Sequence, residues 1–270
     1  MSGRIIGIAS GKGGVGKTWL AITLAQALAQ AGARVLLVDG DFGLANADVQ
    51  LGLQPGLDLA HVLAGQAGLA QAAVRHAAGF HVLPGRSGSG ALAALDAAGL
   101  ARLLALLAEA RAQWPLVLLD LGAGLDPALR RLAAAADTLL VLATNEPTSL
   151  TDAYAVLKLH RRDAPGADAR LVVNQAGTQA SGEATWATLN RACETFLGAG
   201  LPLAGVVRRD ARVPESIRRQ TPLLTRHPGS AAAADVAALA RGLLAPGGAI
   251  PACRPPGLPG AAAACSRDSR

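Results

Sequence analysis

The sequence predicts an α/β fold in which a mostly parallel sheet of roughly seven or eight strands carries helices on both faces. Short apolar runs alternate with longer Ala- and Leu-rich stretches along most of the 270 residues. This alternation is typical of buried parallel strands that are joined by crossover helices. In addition, a glycine-rich loop follows the first apolar run, and Asp residues end two later ones. Parallel sheets place their ligands at these carboxyl ends of the strands.

Each element is assigned from an apolar run or a helical repeat. Strands are predicted at residues 5–9, 35–39, 80–83, 116–120, 138–143, 170–174 and 203–207. Helices are predicted at residues 17–30, 57–63, 66–74, 96–113, 150–161 and 230–244. Ser149 is expected to be the N-cap of the helix at residues 150–161, because a Ser side chain can accept hydrogen bonds from the first N–H groups of a helix.

The composition is that of one globular domain followed by a short tail. Hydrophobic residues make up 51% of the chain and aromatic residues only 3%, so Leu, Ala and Val must fill the core. We expect one domain over residues 1–245. Residues 246–270 are rich in Pro, Gly and Ala and lack periodicity, which predicts a disordered tail.

Charge and cysteine content limit the possible functions. The net charge of +6 is compatible with an anionic partner, but the arginines are scattered, so direct DNA binding is not expected. The cysteines, Cys193, Cys253 and Cys265, form no C-x-x-C pair, which argues against a zinc or iron–sulfur site. The sequence has neither a signal peptide nor a membrane-spanning run of about 20 residues, so we expect a cytoplasmic protein.

The glycine-rich loop has the spacing of a phosphate-binding loop. Residues 11–18 read GKGGVGKT, which fits G-x-x-x-x-G-K-[ST] between a strand and a helix. Glycines let several backbone N–H groups point at one anion, and the following helix adds the positive end of its dipole. We expect Lys17 to reach the β- and γ-phosphates and the Thr18 hydroxyl to bind Mg²⁺, whereas a simple turn would need neither side chain. The candidate nucleotide-binding residues of the loop are Gly11, Lys12, Gly13, Gly14, Val15, Gly16, Lys17 and Thr18.

Acidic residues end two of the predicted strands. Asp39 and Asp120 each close an apolar run, and Asp41 lies two residues beyond Asp39. In a parallel sheet these carboxylates would face the nucleotide, so we expect Asp39 and Asp120 to hold the Mg²⁺ water shell and Asp41 to orient the attacking water. Turn-forming or capping Asp residues are the alternative. The glycine-containing residues 121–124 are predicted to form a mobile switch that senses the terminal phosphate.

A second lysine in the loop points to a known family. Lys12 follows the first glycine directly, and with it the loop resembles the deviant P-loop of the MinD/ParA ATPases. Residues 39–48 are similar to the D-x-D-x-G-x-x-N segment of these proteins, and the resemblance covers residues 4–244. It implies a P-loop NTPase fold that binds ATP and Mg²⁺, slow and partner-stimulated ATP hydrolysis, and an ATP-bound homodimer in which Lys12 reaches the nucleotide of the partner. A lysine that only adds general attraction for phosphate is the alternative.

Residues 145–158, NEPTSLTDAYAVLK, resemble one branch of this family, the FlhG regulators of flagellar number, which are also called FleN or YlxH. The resemblance places this region at the dimer face, so Glu146 is expected to meet Lys12 of the other subunit. It also implies an FlhF-like GTPase and a flagellar transcription activator or switch protein as partners. Transient contact with the inner face of the cell membrane or the cell pole stays open, although the tail contains no amphipathic anchor.

Two further residues are expected beside the base of the nucleotide. Asn174 ends a predicted strand, and its amide can offer a donor and an acceptor to adenine. The resemblance places a base-reading Asn here, which favours ATP over GTP, and the guanine-reading motif N-K-x-D is absent from the sequence. Asp210 belongs to a segment similar to the family's loop beside the base. For Asn174, a turn-forming role is the alternative.

Two other functions share much of this chemistry. A division-site or chromosome- or plasmid-partition ATPase would use the same loop and the same acids. An ATP-controlled DNA-binding regulator is the second alternative, and it would require a basic surface on the dimer.

Overall fold

Eight strands form one sheet in the computed structural model, which describes residues 3–41, 43, 45–85 and 96–245. The strands are β1 (Arg4–Ser10), β2 (Val35–Gly40), β3 (Val74–Arg75), β4 (His81–Leu83), β5 (Leu116–Ala123), β6 (Thr138–Ala143), β7 (Asp168–Ala176) and β8 (Leu203–Arg208). Their order is β3-β4-β2-β5-β1-β6-β7-β8, and every neighbouring pair is parallel except β3 with β4. The predicted, mostly parallel sheet is therefore confirmed.

Helices connect most of the strands. They are α1 (Lys17–Gln30), α2 (Ala47–Leu51), α3 (Leu59–Leu63), α4 (Leu69–Ala72), α5 (Ala97–Gln113), α6 (Pro127–Ala134), α7 (Pro147–Asp163), α8 (Gln179–Leu197), α9 (Arg212–Arg218), α10 (Leu223–Arg226) and α11 (Ala231–Leu244). No helix in the described ranges is both long enough and apolar enough to cross a membrane. The tail predicted to be disordered, residues 246–270, lies outside the described residues.

The strands alternate their side chains between two cores, one on each face of the sheet. In β1, Ile5 and Ala9 belong to the core that contains buried residues of α5, α6, α7 and α8. Ile6 and Ile8 belong to the other core, together with buried residues of α1, α10 and α11. A strand that is covered on both faces has to be apolar at every position, which is why the central strands are continuous apolar runs.

The seven predicted strands are all present, with ends that shift by at most three residues. The largest shift is in β5, which continues to Ala123 and so includes most of the segment predicted to be a mobile switch. Gly124 follows with a φ of 116°, a conformation that favours glycine. The predicted switch is therefore mainly a regular strand in this conformation.

Two predictions about local structure were wrong. The helix α7 begins at Pro147, with Glu146 as its N-cap, because proline is well suited to the first helical position. Ser149 lies inside the first turn, where its hydroxyl accepts a hydrogen bond from the Thr144 N–H at 3.0 Å. The helix predicted at residues 66–74 is limited to α4, and Val74 instead pairs with Val82 at the edge of the sheet.

A tight contact joins α8 to the sheet. A Cβ atom built on Gly182 would overlap Cγ1 of Val206, which is buried in β8. The side chain of a β-branched residue is stiff, so the helix would have to move to make room. Gly182 thus sets the distance between α8 and β8.

We predict that Gly182→Ala lowers the stability of the protein. Overpacking costs about 1–3 kcal/mol, which exceeds the gain of about 1 kcal/mol from replacing a helical glycine by alanine. Thermal unfolding followed by circular dichroism should show a Tm that is lower by several degrees. Gly56→Ala is the control, because a Cβ there meets no atom within 4 Å. An equal Tm for the two variants would contradict the packing argument.

Candidate nucleotide-binding site

The phosphate-binding loop lies between β1 and α1 and is held from two sides. A Cβ on Gly11 would come within 2.6 Å of the Asp152 carbonyl oxygen in α7. A Cβ on Gly16 would come within 2.6 Å of the Asn174 side-chain nitrogen in β7. Gly16 also has a φ of 94°, which L-residues with side chains rarely adopt. Both glycines are therefore required by the packing of the loop.

Lys17 begins α1 and lies beneath the loop, with only 8% of its surface exposed. Burial lowers the pKa of Lys17, while the carboxylates of Asp120 and Asp41 act in the opposite direction. The ammonium group is thus close to two of the three predicted acids. It is also at the start of a helix, where the backbone attracts anions.

Asp39 and Asp120 are register partners on the adjacent strands β2 and β5. Both are almost fully buried. Burial raises the pKa of Asp39 to about 6, although hydrogen bonds from backbone N–H groups oppose the change. Burial and the neighbouring charge of Asp39 raise the pKa of Asp120. Two carboxylates side by side in the interior are costly unless a cation or a proton compensates them.

The two carboxylates differ in their partners. Asp39 accepts hydrogen bonds from the backbone N–H groups of Asp41 at 3.2 Å, Asn46 at 3.0 Å and Ala47 at 3.0 Å, so it anchors the segment that leads into α2. Neither oxygen of Asp120 makes a hydrogen bond of standard geometry within the described part of the chain. The Thr18 hydroxyl is nevertheless near enough to lower the pKa of Asp120. Asp120 is therefore the buried carboxylate whose oxygens are left for a ligand.

Asp41 lies at the mouth of this cluster and is half-buried. Its Oδ1 accepts a hydrogen bond from the Gly43 N–H at 3.2 Å. A Cβ on Gly122, in β5, would lie 3.3 Å from the same oxygen. The fold thus brings Asp41, Asp39, Asp120 and Lys17 together, as the sequence predicts.

The second lysine of the loop is paired within its own chain. The Lys12 ammonium lies 2.5 Å from Oε2 of Glu146, the N-cap of α7, and 3.3 Å from the Thr148 hydroxyl. The hydrogen bond from Lys12 holds the pKa of Glu146 below its usual range. Both side chains are exposed, at 40% and 60%. The contact that was expected between two subunits is therefore already formed in a single chain, because the start of α7 lies beside the loop.

A cavity of about 690 Å³ opens beyond the loop, on the side of β7 and β8. Both residues expected near the base, Asn174 and Asp210, lie in its wall with Gly14 and Gly16 of the loop. The other residues of the wall are Trp19, Gln175, Arg208, Arg209, Val213, Pro214, Ile217 and Arg218. The family resemblance had placed residues 208–217 beside the base, and the α9 residues Val213, Pro214 and Ile217 belong to that segment. Trp19, Gln175 and Arg218 were not expected there, although Trp19 directly follows Thr18.

The orientation of the Asn174 amide is determined by the loop. Its NH₂ group donates a hydrogen bond to the Val15 carbonyl oxygen at 2.8 Å, and the side chain is buried. The amide therefore turns its nitrogen toward the loop, and its carbonyl oxygen, which can only accept hydrogen bonds, points away from the Val15 carbonyl. An acceptor matches the amino group of adenine better than the carbonyl oxygen of guanine.

Asp210 connects two helices beside the same cavity. Its carboxylate accepts hydrogen bonds from the Arg212 N–H at 2.9 Å and the Ala232 N–H at 3.2 Å, at the starts of α9 and α11. Burial works to raise the pKa of Asp210, but these backbone hydrogen bonds outweigh it and hold the pKa below its usual value. The residue thus stabilises one wall of the cavity.

Comparison with known proteins agrees with this geometry. Residues 6–223 match the family described as the CobQ/CobB/MinD/ParA nucleotide binding domain. The match spans most of the chain and includes the loop, the acids and both residues beside the cavity. The chain belongs to this family.

The individual relatives indicate which branch of the family this chain resembles. The antiactivator FleN of Pseudomonas aeruginosa is 34% identical over 238 residues, which cover 88% of this chain and 85% of FleN. The flagellum site-determining protein YlxH of Helicobacter pylori is 28% identical over 227 residues, covering 81% of this chain and 76% of YlxH. The structure of the septum site-determining protein MinD from Pyrococcus horikoshii, complexed with Mg-ADP, matches with a TM-score of 0.76 at 25% identity, covering 89% of this chain and 96% of that one. The predicted MinD/ParA resemblance, with similarity to FleN and YlxH, is confirmed.

We predict that Asn174→Ala weakens nucleotide binding about tenfold, because an unpaired carbonyl at Val15 and a hole beside Gly16 loosen the loop. Isothermal titration with ATP measures the change in Kd. Asn190→Ala is a matched control, since Asn190 in α8 also bonds a backbone group, the Leu201 N–H at 2.6 Å, and does not line the cavity. Equal ATP affinities for the two variants would exclude a role of Asn174 in supporting the loop.

Proposed function

We propose that this protein is an ATP-dependent molecular switch that dimerises when it binds ATP and Mg²⁺, hydrolyses ATP slowly and regulates the number and placement of flagella. The main support for a switch is the difference between the two lysines of the loop. Lys17 is buried beside carboxylates, whereas Lys12 is exposed and is held at the surface by Glu146 and the Thr148 hydroxyl. The similarity to FleN and YlxH carries the flagellar role.

ATP would occupy the loop and the adjoining cavity. The N–H groups of residues 11–18 and the Lys17 ammonium would bind the phosphates at the start of α1. The nucleoside would enter the cavity, with the Asn174 carbonyl oxygen facing the amino group of adenine and Asp210 supporting the wall. Support for a bound nucleotide comes from the similarity to the P. horikoshii MinD structure, which is complexed with Mg-ADP.

The residues beside Lys17 fit Mg²⁺. Both oxygens of Asp120 are buried and make no standard hydrogen bond to the described residues, and the Thr18 hydroxyl is adjacent, so oxygen donors of the kind that Mg²⁺ prefers are present. Thr18 and Asp120 would hold the ion, with Asp39 next to Asp120 as additional negative charge. Bound there, Mg²⁺ would neutralise phosphate charge during transfer.

Asp41 would position the attacking water. Its carboxylate is tied to the Gly43 N–H and lies over Gly122, at the end of the site where the γ-phosphate would be. It would accept a hydrogen bond from the water whose oxygen attacks the γ-phosphorus while the bond to the β-phosphate oxygen breaks. Lys17, and Lys12 of the partner subunit, would stabilise the charge on the transferring phosphoryl group.

Dimerisation requires Lys12 to leave Glu146. An exposed ion pair is weak because water and salt screen it, so a triphosphate on the partner subunit would be a stronger attraction. In this proposal the Lys12–Glu146 pair belongs to the monomer, and Lys12 changes partners when two ATP-bound chains meet. Glu146 would then lie at the dimer face without its own lysine and be free to meet Lys12 of the partner.

We further propose an FlhF-like GTPase and a flagellar transcription activator or switch protein as partners of the ATP-bound dimer. Transient contact with the inner face of the cell membrane or the cell pole belongs to the same proposal. The resemblance of residues 145–158 suggests these assignments, and the names of the relatives, an antiactivator and a flagellum site-determining protein, support a flagellar setting. A division-site role is the second candidate, favoured by the structural similarity to a septum site-determining protein.

We predict that Asp41→Ala binds ATP but hydrolyses it about 100-fold more slowly, since an oriented water is lost. The variant should therefore accumulate as a dimer with ATP, which light scattering after gel filtration would detect. Lys17→Ala is the control, and it should lose ATP binding and stay monomeric. Hydrolysis by the Asp41 variant at the wild-type rate would show that Asp41 does not position the water.

Deletion of the gene should change the number of flagella per cell and leave cell length unchanged. Electron microscopy of the deletion strain measures both quantities. Wild-type protein, but not the Lys17→Ala variant, should restore the number if nucleotide binding operates the switch. Minicells or filaments with normal flagella would instead assign the protein to cell division.

A further inference from the structure

Trp19 lies between the phosphate-binding loop and the cavity beyond it. It is the third residue of α1, directly after Lys17 and Thr18, and only 6% of its surface is exposed. Its side chain nevertheless forms part of the cavity wall. A large aromatic ring is therefore fixed next to the residues proposed to bind phosphate.

The ring is held by packing. Val213 and Ile217 of α9 pack against the same core cluster to which Trp19 belongs, and both also line the cavity. The Trp19 indole N–H has no hydrogen-bond acceptor within the described residues. The small part of Trp19 that stays exposed lines the cavity, where it can contact a ligand.

Trp19 is the one aromatic side chain among the described residues that line this cavity. The other two tryptophans lie elsewhere. Trp114 packs against His81 with ring centroids 5.7 Å apart, and Trp186 in α8 donates a hydrogen bond to the Leu201 carbonyl at 2.7 Å. The chain thus places a single aromatic surface where a base would lie.

We propose that Trp19 is a specificity-determining residue, whose ring is the apolar wall against which the adenosine half of ATP packs. The inference rests on the proposed function and deepens it. The loop contacts phosphates, which are the same in every triphosphate, so selection for a nucleoside has to come from the cavity. An aromatic wall attracts the π-face of a base, and the Asn174 carbonyl oxygen then distinguishes adenine from guanine.

Inorganic tripolyphosphate separates this role from simple packing, because it has the phosphates of ATP without the nucleoside. In the presence of Mg²⁺, Trp19→Ala should raise the Kd for ATP about tenfold and leave the Kd for tripolyphosphate within about twofold. Trp19→Phe keeps an aromatic surface and should bind ATP within about threefold of the wild type. Isothermal titration measures both ligands with each variant.

Two results would overturn the inference. One is an unchanged ATP affinity in Trp19→Ala, and the other is an equal loss for ATP and tripolyphosphate, which would mean that Trp19 only positions α1 and the loop. A wild-type protein that binds neither ligand would overturn the proposed function as well. The two failures are therefore distinguishable.

Fluorescence tests the same inference without a cavity-forming substitution, in case Trp19→Ala does not fold. ATP should change the tryptophan emission of the wild-type protein, and tripolyphosphate should not. The change should disappear in Trp19→Phe and persist in Trp186→Phe, which removes a tryptophan away from the cavity. An ATP-dependent change that persists in Trp19→Phe would contradict contact between the ring and the nucleoside.

Discussion

The close packing around the phosphate-binding loop is the constraint on which the rest of the site depends. Gly11 lies against Asp152 of α7, and Gly16 lies against Asn174 of β7, with no space for a Cβ in either contact. The sheet order β1-β6-β7 brings these neighbours to the loop. Because the loop is held at Gly11 and Gly16 from both sides, its backbone would need little ordering to bind a phosphate.

Buried ionisable groups lie beneath this loop. The Lys17 ammonium is close to the carboxylates of Asp120 and Asp41. Asp120 and its register partner Asp39 are almost fully buried. Asp39 is satisfied by backbone N–H groups, but Asp120 is not. An uncompensated buried charge costs several kcal/mol, so a cation beside Asp120 and an anion above Lys17 would each relieve part of that cost. The second lysine, Lys12, lies outside this cluster, where it pairs with Glu146 at the surface.

Much of the fold follows from the sequence, because buried parallel strands have to be apolar throughout and end where polar residues meet the ligand. The helix α1 has the predicted ends, and β6 does as well. The wrong predictions have two causes. The start of α7 was assigned from the capping preference of Ser149, but Pro147 is also a good first helical residue and the helix begins there. Val74 was assigned to a helix from local periodicity, but it belongs to a two-residue edge strand that pairs with Val82.

The sequence by itself determined the strand–loop–helix unit, the acids at two strand ends and the family, since each of these is encoded in a short, contiguous pattern. Only the tertiary structure decided what those residues contact. Lys12 meets Glu146 across 134 positions of the chain, and Asn174 meets Val15 across 159. The cavity likewise combines Trp19 of α1 with residues of α9. Such pairs depend on the order of strands in the sheet, which local apolar periodicity does not specify.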